Sequence, residues 1–239
     1  MKKIIMFLLL AIPIISFAQE EVRWDYPVKP GSEEWKSLST YQERINVYNI
    51  PQDILKLIST KELIITCLNY PEFRLIFTRN DLQRGYNHIR ANFNGFRELE
   101  LRSYAGKELL KIYKDYNPEG YEKNASLLEI GGHVVRFTYI EILLAQIDIL
   151  NSLNDNDTRE LLLQCENIYL GKKKQIEHFG IIGLQTTALI VARSQKEALT
   201  ETISKFGVNN YNMFIENVIL TESALIDEIM NDYKTKSNE

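Results

Sequence analysis

The stretch ASLLEIGGHVVRFTYIEILLAQIDIL, residues 125–150, lies near the middle of the 239-residue chain and decides the predicted fold class. After the glycine pair at 131–132, apolar residues cover nearly the whole helical wheel, and Thr138, Glu141 and Asp148 form a narrow polar stripe. A helix that is apolar on almost all sides is buried among other elements. We therefore predict a long central helix that begins after a break at the two glycines.

The rest of the chain also follows helical rather than strand periodicity. The segment GIIGLQTTALIVAR, residues 180–193, is again nearly all apolar but too short to cross a bilayer, so we predict a second buried helix. No segment alternates cleanly with a period of two. The sequence therefore predicts an all-α protein, an array of about ten antiparallel-packed helices. The array is expected to be either an armadillo- or HEAT-like superhelix or an irregular helical bundle.

Start and stop signals place these helices along the chain. Ser32 is a candidate N-cap, and either Asn80 or Asp81 begins the helix over 82–93. Ser59 begins a capping-box pattern with Glu62, and the cluster Asn117–Gly120 predicts a turn. The predicted helical segments outside the two buried helices are 33–48, 52–58, 63–70, 82–93, 96–102, 106–116, 159–171, 208–219 and 222–234.

The N-terminus reads MKKIIMFLLLAIPIISFA over residues 1–18 and predicts a secretory signal peptide cleaved before Gln19. An extended strap is expected over 19–32, followed by a single helical domain over 33–234 with a candidate sub-boundary near 117–124. A polar tail follows at 235–239. The predicted location is outside the cytoplasm, either periplasmic or extracellular.

Charge narrows the range of partners. The formal net charge is −4, and loss of Lys2 and Lys3 with the leader gives −4 − 2 = −6. Nucleic-acid binding needs a basic footprint, so nucleic acid is not expected as a partner. A membrane is not expected as a partner after signal cleavage, whereas a protein, peptide or glycan outside the cytoplasm is. Cys67 and Cys165 lie in apolar helical patterns, which favours two buried free thiols over a disulfide.

The segment RWDYPVKPGSEEW, residues 23–35, carries both tryptophans of the chain. Each indole buries about 200 Å² when it packs, so a loose tail is a costly place for two of them. One interpretation is a strap in which Trp24 and Tyr26 dock on the helices and Trp35 anchors the first helix. The alternative is an exposed aromatic site, formed by the same three residues, that grips a peptide or glycan.

The pattern W-x-Y-P-x-K-P-G-x-E-E-W in this segment resembles the start of a group of exported, all-helical proteins of unassigned function from Bacteroidota. The similarity continues through IPQDILKLISTKELIITCLNYP, residues 50–71, and NFNGFREL, residues 92–99. It covers about the first third of the chain. The resemblance implies export and a helical fold, and it implies no catalytic residues.

Motifs for metal, cofactor and nucleophilic chemistry are absent from the sequence. There is no H-E-x-x-H, cysteine cluster, G-x-S-x-G or phosphate-binding glycine loop, so no metal, cofactor or catalytic residue is predicted. The run Lys172–Lys174 is interpreted as positive charge near a helix C-terminus. His133 and Arg136 are added to the candidate binding residues, because Arg136 falls inside the apolar helix. There it must pair, with Glu129 or Glu141, or reach an open groove.

Two functions remain open from the sequence. The preferred hypothesis is a non-catalytic binding module of unknown ligand, whose groove carries exposed tyrosines among Tyr86, Tyr104, Tyr113, Tyr116 and Tyr121. The alternative is a hydrolase of unknown type that uses a histidine with a carboxylate, which requires His88, His133 or His178 in a pocket beside an acid.

Overall fold

The computed structural model describes residues 21–195 and 198–237, and every regular element in these ranges is helical. They hold fourteen α-helices and one 3₁₀-helix, with no strand, so the all-α prediction is confirmed. The predicted signal peptide, residues 1–18, lies outside the described ranges.

The first half of the domain is made of short helices. Its elements are α1 (Glu33–Ser37), α2 (Tyr41–Asn46), α3 (Gln52–Leu57), α4 (Thr60–Leu68), the 3₁₀-helix (Phe73–Thr78), α5 (Leu82–Asn92), α6 (Asn94–Leu101) and α7 (Ala105–Asp115).

The second half contains the three longest helices. Its elements are α8 (Leu127–Leu144), α9 (Ile147–Asn151), α10 (Asp155–Lys174), α11 (Ile176–Ser194), α12 (Thr200–Phe206), α13 (Val208–Asn217) and α14 (Ala224–Ser237). The predicted polar tail at 235–239 therefore begins as helix, since α14 continues to Ser237.

Helix count and several boundaries differ from the sequence prediction. The predicted helix 33–48 is two helices, because the chain is extended at Leu38 and Thr40 and Thr40 forms a reciprocal capping box with Glu43. Ser32, Ser59 and Asp81 cap α1, α4 and α5 as predicted. The expected ten helices are too few because helices of five to seven residues carry too few turns to show a period.

The glycine pair at 131–132 does not break α8, so that prediction was wrong. The helix runs unbroken through both glycines and ends at Leu144. The helical stretch is instead interrupted between α8 and α9, where the backbone of Gln146 is extended. The kink that glycine does cause lies in α11, at Gly180, whose φ of 57° and ψ of −168° are far from helical values.

One hydrophobic core connects the two halves, and it contains both free cysteines in buried positions, as predicted. At its centre, Glu141 of α8 and Lys172 of α10 form an ion pair of 2.6 Å with both side chains fully buried. The Glu141 carboxylate also accepts hydrogen bonds from Tyr113, Thr186 and Thr187.

The ammonium of Lys172 is fully satisfied in this core. It donates to Glu141 Oε2, to Gly183 O at 2.9 Å and to Thr187 Oγ1 at 3.0 Å. Burial lowers the pKa of Lys172, and the adjacent Glu141 carboxylate opposes that change. The cluster joins α7, α8, α10 and α11. Lys172 lies in the last turn of α10, as predicted from the sequence, and its hydrogen bonds also help to connect these four helices.

Within the described ranges, none of the helices combines the length and the apolar character needed to cross a bilayer.

Candidate functional site

The two tryptophans of the N-terminal segment meet at a single residue, Tyr48. Trp24 Nε1 donates to the Tyr48 carbonyl at 3.1 Å, and Trp35 Nε1 donates to the Tyr48 hydroxyl at 2.9 Å. The Tyr26 ring contacts Tyr48 edge-on, with centroids 5.8 Å apart. The Arg44 guanidinium lies 4.3 Å from the Trp35 ring centroid. The three predicted aromatic residues are therefore brought together, and their polar atoms are used within the protein.

Tyr26 and its neighbours tie this segment to α4. Tyr26 is 4% exposed, and its hydroxyl donates to Thr66 O at 2.8 Å. The Thr66 hydroxyl donates back to Trp24 O, and Arg23 pairs with Glu62 at 3.1 Å. With Tyr26 buried and both indoles half-buried, this geometry is that of the strap.

His133 and Arg136 lie apart from these aromatic residues, on α8. Arg136 pairs with neither Glu129 nor Glu141, so that prediction was wrong. It donates instead to Leu68 O at 2.7 Å and to Asn69 Oδ1 at 2.8 Å, at the end of α4. Carbonyls at a helix C-terminus lack partners within the helix and carry partial negative charge, which suits a guanidinium.

The histidines do not form the arrangement that a hydrolase needs. His133 Nε2 lies 2.9 Å from Asn117 O, and His88 lies beside Arg79. His178 lies 3.8 Å from Glu177, which is beyond hydrogen-bond reach. The five tyrosines that were predicted to line a groove also differ in their exposure. Tyr86 and Tyr113 are buried, Tyr104 is exposed, and Tyr116 and Tyr121 are half-buried against His133.

A cleft of about 590 Å³ opens elsewhere, between α5, α6, α9, α11 and α13. Ligand sites of small molecules fall in the range of roughly 300–1,000 Å³. Gln146 and Ile215 are buried in it, whereas Asn87 and Ile147 are exposed. None of the candidate binding residues named from the sequence lines it.

Arg193, at the end of α11, is the central charged group of the cleft. Its Nε donates to Ile215 O at 2.7 Å, Nη1 to Ala145 O at 2.7 Å, and Nη2 to Gln83 Oε1 at 2.8 Å. All three acceptors are neutral, and burial lowers the pKa of Arg193 to about 10. A guanidinium has five N–H groups, so one on Nη1 and one on Nη2 have no acceptor among the residues that the structure describes.

Gln83 fixes the guanidinium from the side of α5. Its amide nitrogen donates to Asn87 Oδ1 at 2.9 Å and to Gln146 Oε1 at 3.1 Å. Gln146 in turn donates to Ile142 O within α8. The arginine is therefore held by three separate segments before any ligand arrives, which is the preorganisation that tight binding needs.

Three acidic residues also line the cleft. Glu100 of α6 is paired with Arg90 at 2.5 Å and accepts a hydrogen bond from Tyr86. Asp148 and Glu216 are exposed, and neither forms an ion pair in the described part of the chain. Glu100 is paired with Arg90, and the Asp148 carboxylate also acts on the Arg90 guanidinium without forming an ion pair with it, so the cleft carries two cations and three anions.

A second hollow of about 380 Å³ continues the cleft past Glu100 and Asp148. It is lined by those two acids together with Leu101, Arg102, Ser103, Asn151 and Ser152. Because Glu100 and Asp148 line both hollows, the two hollows adjoin at these residues.

The polar lining of the cleft consists of arginine, carboxylate and amide side chains, which can bind and orient a polar ligand. No histidine or cysteine lines it. Among the described residues, no three His, Cys, Asp or Glu side chains converge as a metal site requires. The sequence contained one indication of the cleft, a lone arginine at the end of the apolar run ALIVAR. Nothing in the sequence showed that this arginine lies next to α5, α9 and α13.

Comparisons of the chain with protein-family models, with curated proteins and with solved structures found no match, so the function of this cleft has to be argued from its own residues.

Proposed function

We propose that this protein is a non-catalytic binding protein, and that its ligand is a small polar molecule held in the cleft around Arg193. One observation carries the proposal. A guanidinium fixed by three neutral acceptors lines a cleft of ligand size, and two of its N–H groups have no acceptor in the described part of the chain.

The buried charges of the described residues provide a comparison. Each of them has an oppositely charged partner within 4.0 Å; they are Glu62, Glu72, Asp81, Glu141, Lys172 and Asp232. Arg193 is half-buried, and its hydrogen-bond acceptors are all uncharged, as are those of the half-buried Arg136. Arg193 also lines a cleft of ligand size, so a ligand that supplies an anion there recovers part of the cost of desolvating the guanidinium.

Saturation-transfer NMR with three probes tests the proposal. The probes are the tripeptide Ala-Ala-Ala, the trisaccharide maltotriose and citrate, which represent a zwitterion, a neutral molecule and a polyanion. We expect at least one of them to bind the wild-type protein and to lose binding in Ile147→Trp. Ile147 is 52% exposed at the rim of the cleft, so an indole there blocks the cleft without disturbing the core.

Val208→Trp is the matched control, because Val208 is 55% exposed on α13 and does not line the cleft. Binding that persists in Val208→Trp and disappears in Ile147→Trp supports the proposal. Binding that survives Ile147→Trp, or the absence of binding by all three probes, contradicts it.

Export forms part of the same proposal. The leader MKKIIMFLLLAIPIISFA supports it, with lysines before the apolar run and small residues before Gln19. Expression in a bacterial host, with mass spectrometry of the protein recovered outside the cytoplasm, is expected to give a chain that begins at Gln19. An intact Met1 on protein that stays in the cytoplasm contradicts export and leaves the cleft hypothesis unaffected.

A further inference from the structure

We infer that the ligand of the cleft is a short peptide with free termini, whose C-terminal carboxylate binds Arg193 and whose N-terminal ammonium lies against Asp148 and Glu216. This inference rests on the proposed function, since it names the class of ligand that the same cleft takes. It is carried by the charges that remain in the cleft once the protein's own ion pairs are counted.

The carboxylate follows from the chemistry of Arg193. Two N–H groups, one on each terminal nitrogen, match the two oxygens of a carboxylate in the bidentate arrangement that guanidinium groups favour. The other three N–H groups are already engaged by Ile215 O, Ala145 O and Gln83 Oε1. The guanidinium plane is therefore set in advance, and little rotamer freedom remains to be lost on binding.

The acidic side chains of the cleft indicate that the ligand carries a positively charged ammonium group. Asp148 and Glu216 line the same cleft and form no ion pair within the described ranges, whereas Glu100 is neutralised by Arg90. A plain anion on Arg193 leaves two carboxylates unpaired beside it. A zwitterion satisfies both sides of the cleft, because its ammonium offsets the acidic wall while its carboxylate offsets Arg193.

The space beside the cleft favours a peptide over a single amino acid. The cleft of about 590 Å³ adjoins the hollow of about 380 Å³ at Glu100 and Asp148. The side chains of Ser103 and Asn151 line this second hollow and can both donate and accept hydrogen bonds, whereas the Ser152 hydroxyl is already bonded to Ile149 O and Gly106 N. Peptide N–H and C=O groups need partners of this kind when they leave water.

Isothermal titration with three forms of one tripeptide tests the inference. The probes are Ala-Ala-Ala, its C-terminal amide and its N-acetyl derivative. We expect the free peptide to bind, the amide to bind at least about tenfold more weakly, and the acetylated form to bind several-fold more weakly. Equal affinity for the free peptide and the amide contradicts the carboxylate contact, and equal affinity for the free and acetylated forms contradicts the ammonium contact.

Variants assign each effect to its side chain. Asp148→Asn combined with Glu216→Gln is expected to abolish the preference for the free N-terminus and to keep the preference for the free C-terminus. Glu201→Gln, an exposed acid on α12 away from the cleft, is expected to change neither preference. An Asp148→Asn/Glu216→Gln protein that still prefers the free N-terminus overturns the assignment.

Arg193→Gln is expected to remove the preference for the free carboxylate. Because Arg193 also joins α11 to α13 and Ala145, the melting temperature of the Arg193→Gln protein is measured in parallel. If Arg193→Gln fails to fold, the variants at Asp148, Glu216 and Ile147 still test the inference.

The probes also distinguish this inference from the proposed function. Cleft binding by maltotriose or citrate without peptide binding contradicts this inference and supports the proposed function, whereas no cleft binding by any probe contradicts both.

Discussion

At the scale of single residues, the Glu141–Lys172 pair carries the largest expected effect on stability. Lys172→Met leaves the Glu141 carboxylate buried without its cation, and breaking a buried pair in this way costs about 3–5 kcal/mol. We expect the free energy of unfolding, measured by urea titration, to fall by that amount. Lys173→Met, at the exposed neighbouring position, is expected to cost less than about 1 kcal/mol because its pair with Asp227 is solvated.

The double variant Lys172→Met/Glu141→Gln separates the buried charge from lost packing. A neutral amide costs less to bury than a carboxylate, and it still offers an oxygen to the hydroxyl of Tyr113 or Thr187. We therefore expect the double variant to be more stable than Lys172→Met alone. A double variant that is less stable than Lys172→Met contradicts this expectation and shows that the hydrogen bonds accepted by the Glu141 carboxylate from Tyr113, Thr186 and Thr187 outweigh the cost of its unpaired charge.

The titration of His88 makes the free energy of unfolding depend on pH, and the direction of that dependence follows from the pKa of His88. Burial, and next the Arg79 guanidinium, lower the pKa of His88 below its ordinary value of 6.5. Between the folded and unfolded pKa values the unfolded chain binds more protons. The free energy of unfolding therefore falls as the pH falls through this window, and this contribution stops changing below the folded pKa.

Proton NMR titration of His88 checks this directly, with the urea-unfolded chain as reference. We expect a midpoint below that of the unfolded chain, and a shift upward towards it in Arg79→Gln. Replacement of His88 by Gln is expected to reduce the loss of stability between about pH 7.5 and about pH 5. A midpoint at or above the unfolded value contradicts the prediction.

At the scale of elements, α8 contains two glycines whose missing Cβ atoms would meet open space. An added Cβ at Gly131 or Gly132 has no atom within 4 Å, and both residues lie inside the helix. Alanine restricts the unfolded chain more than glycine does, so each Gly→Ala change is expected to stabilise the protein by about 0.5–1 kcal/mol. Thermal unfolding of Gly131→Ala and Gly132→Ala measures this gain.

Gly85 of α5 is the matched control, because it is a helical glycine with the opposite surroundings. A Cβ there would lie 2.1 Å from the carbonyl oxygen of Ile76, which is backbone of the adjoining 3₁₀-helix. Gly85→Ala is therefore expected to destabilise the protein by about 1–3 kcal/mol, as overpacking does. A stabilising Gly85→Ala, or a destabilising change at both Gly131 and Gly132, contradicts the packing described for these helices.

These glycines also show what the sequence could predict about the elements. Caps are local, so Ser32, Ser59 and Asp81 were identified correctly from residue type and spacing. The supposed break at 131–132 failed because glycine only lowers helix propensity, and the strong capping box at Ser126 and Glu129 starts the helix before the pair.

At the scale of the whole molecule, the site was less predictable than the fold. Helical periodicity is a property of neighbouring residues, and it was enough to predict an all-helical chain. The cleft depends on contacts such as that between Gln83 and Arg193, which are 110 positions apart. The run Lys172–Lys174 does lie in the last turn of α10, as predicted, but the burial of Lys172 was missed for the same reason, since its partner Glu141 is 31 positions away.

The described core predicts that the protein unfolds as one unit. Buried contacts run from Tyr26 to Tyr233 and cross the turn at 117–120, where Tyr113 of α7 donates to Glu141 of α8. Small single domains with one continuous core unfold in a single cooperative transition. Both tryptophans lie near the N-terminus, so their fluorescence follows that end, whereas circular dichroism at 222 nm, the usual α-helix band, follows all the helices.

We expect the two signals to give the same urea midpoint. Arg136→Gln, which removes the contact between α8 and the end of α4, is expected to lower both midpoints together. Because Arg136 is the side chain that bonds α8 to the Leu68 carbonyl, its loss tests coupling between the halves of the chain directly. A fluorescence midpoint at lower urea than the dichroism midpoint, widened further by Arg136→Gln, means that the strap and the first helices unfold separately and that the sub-boundary near 117–124 divides the domain.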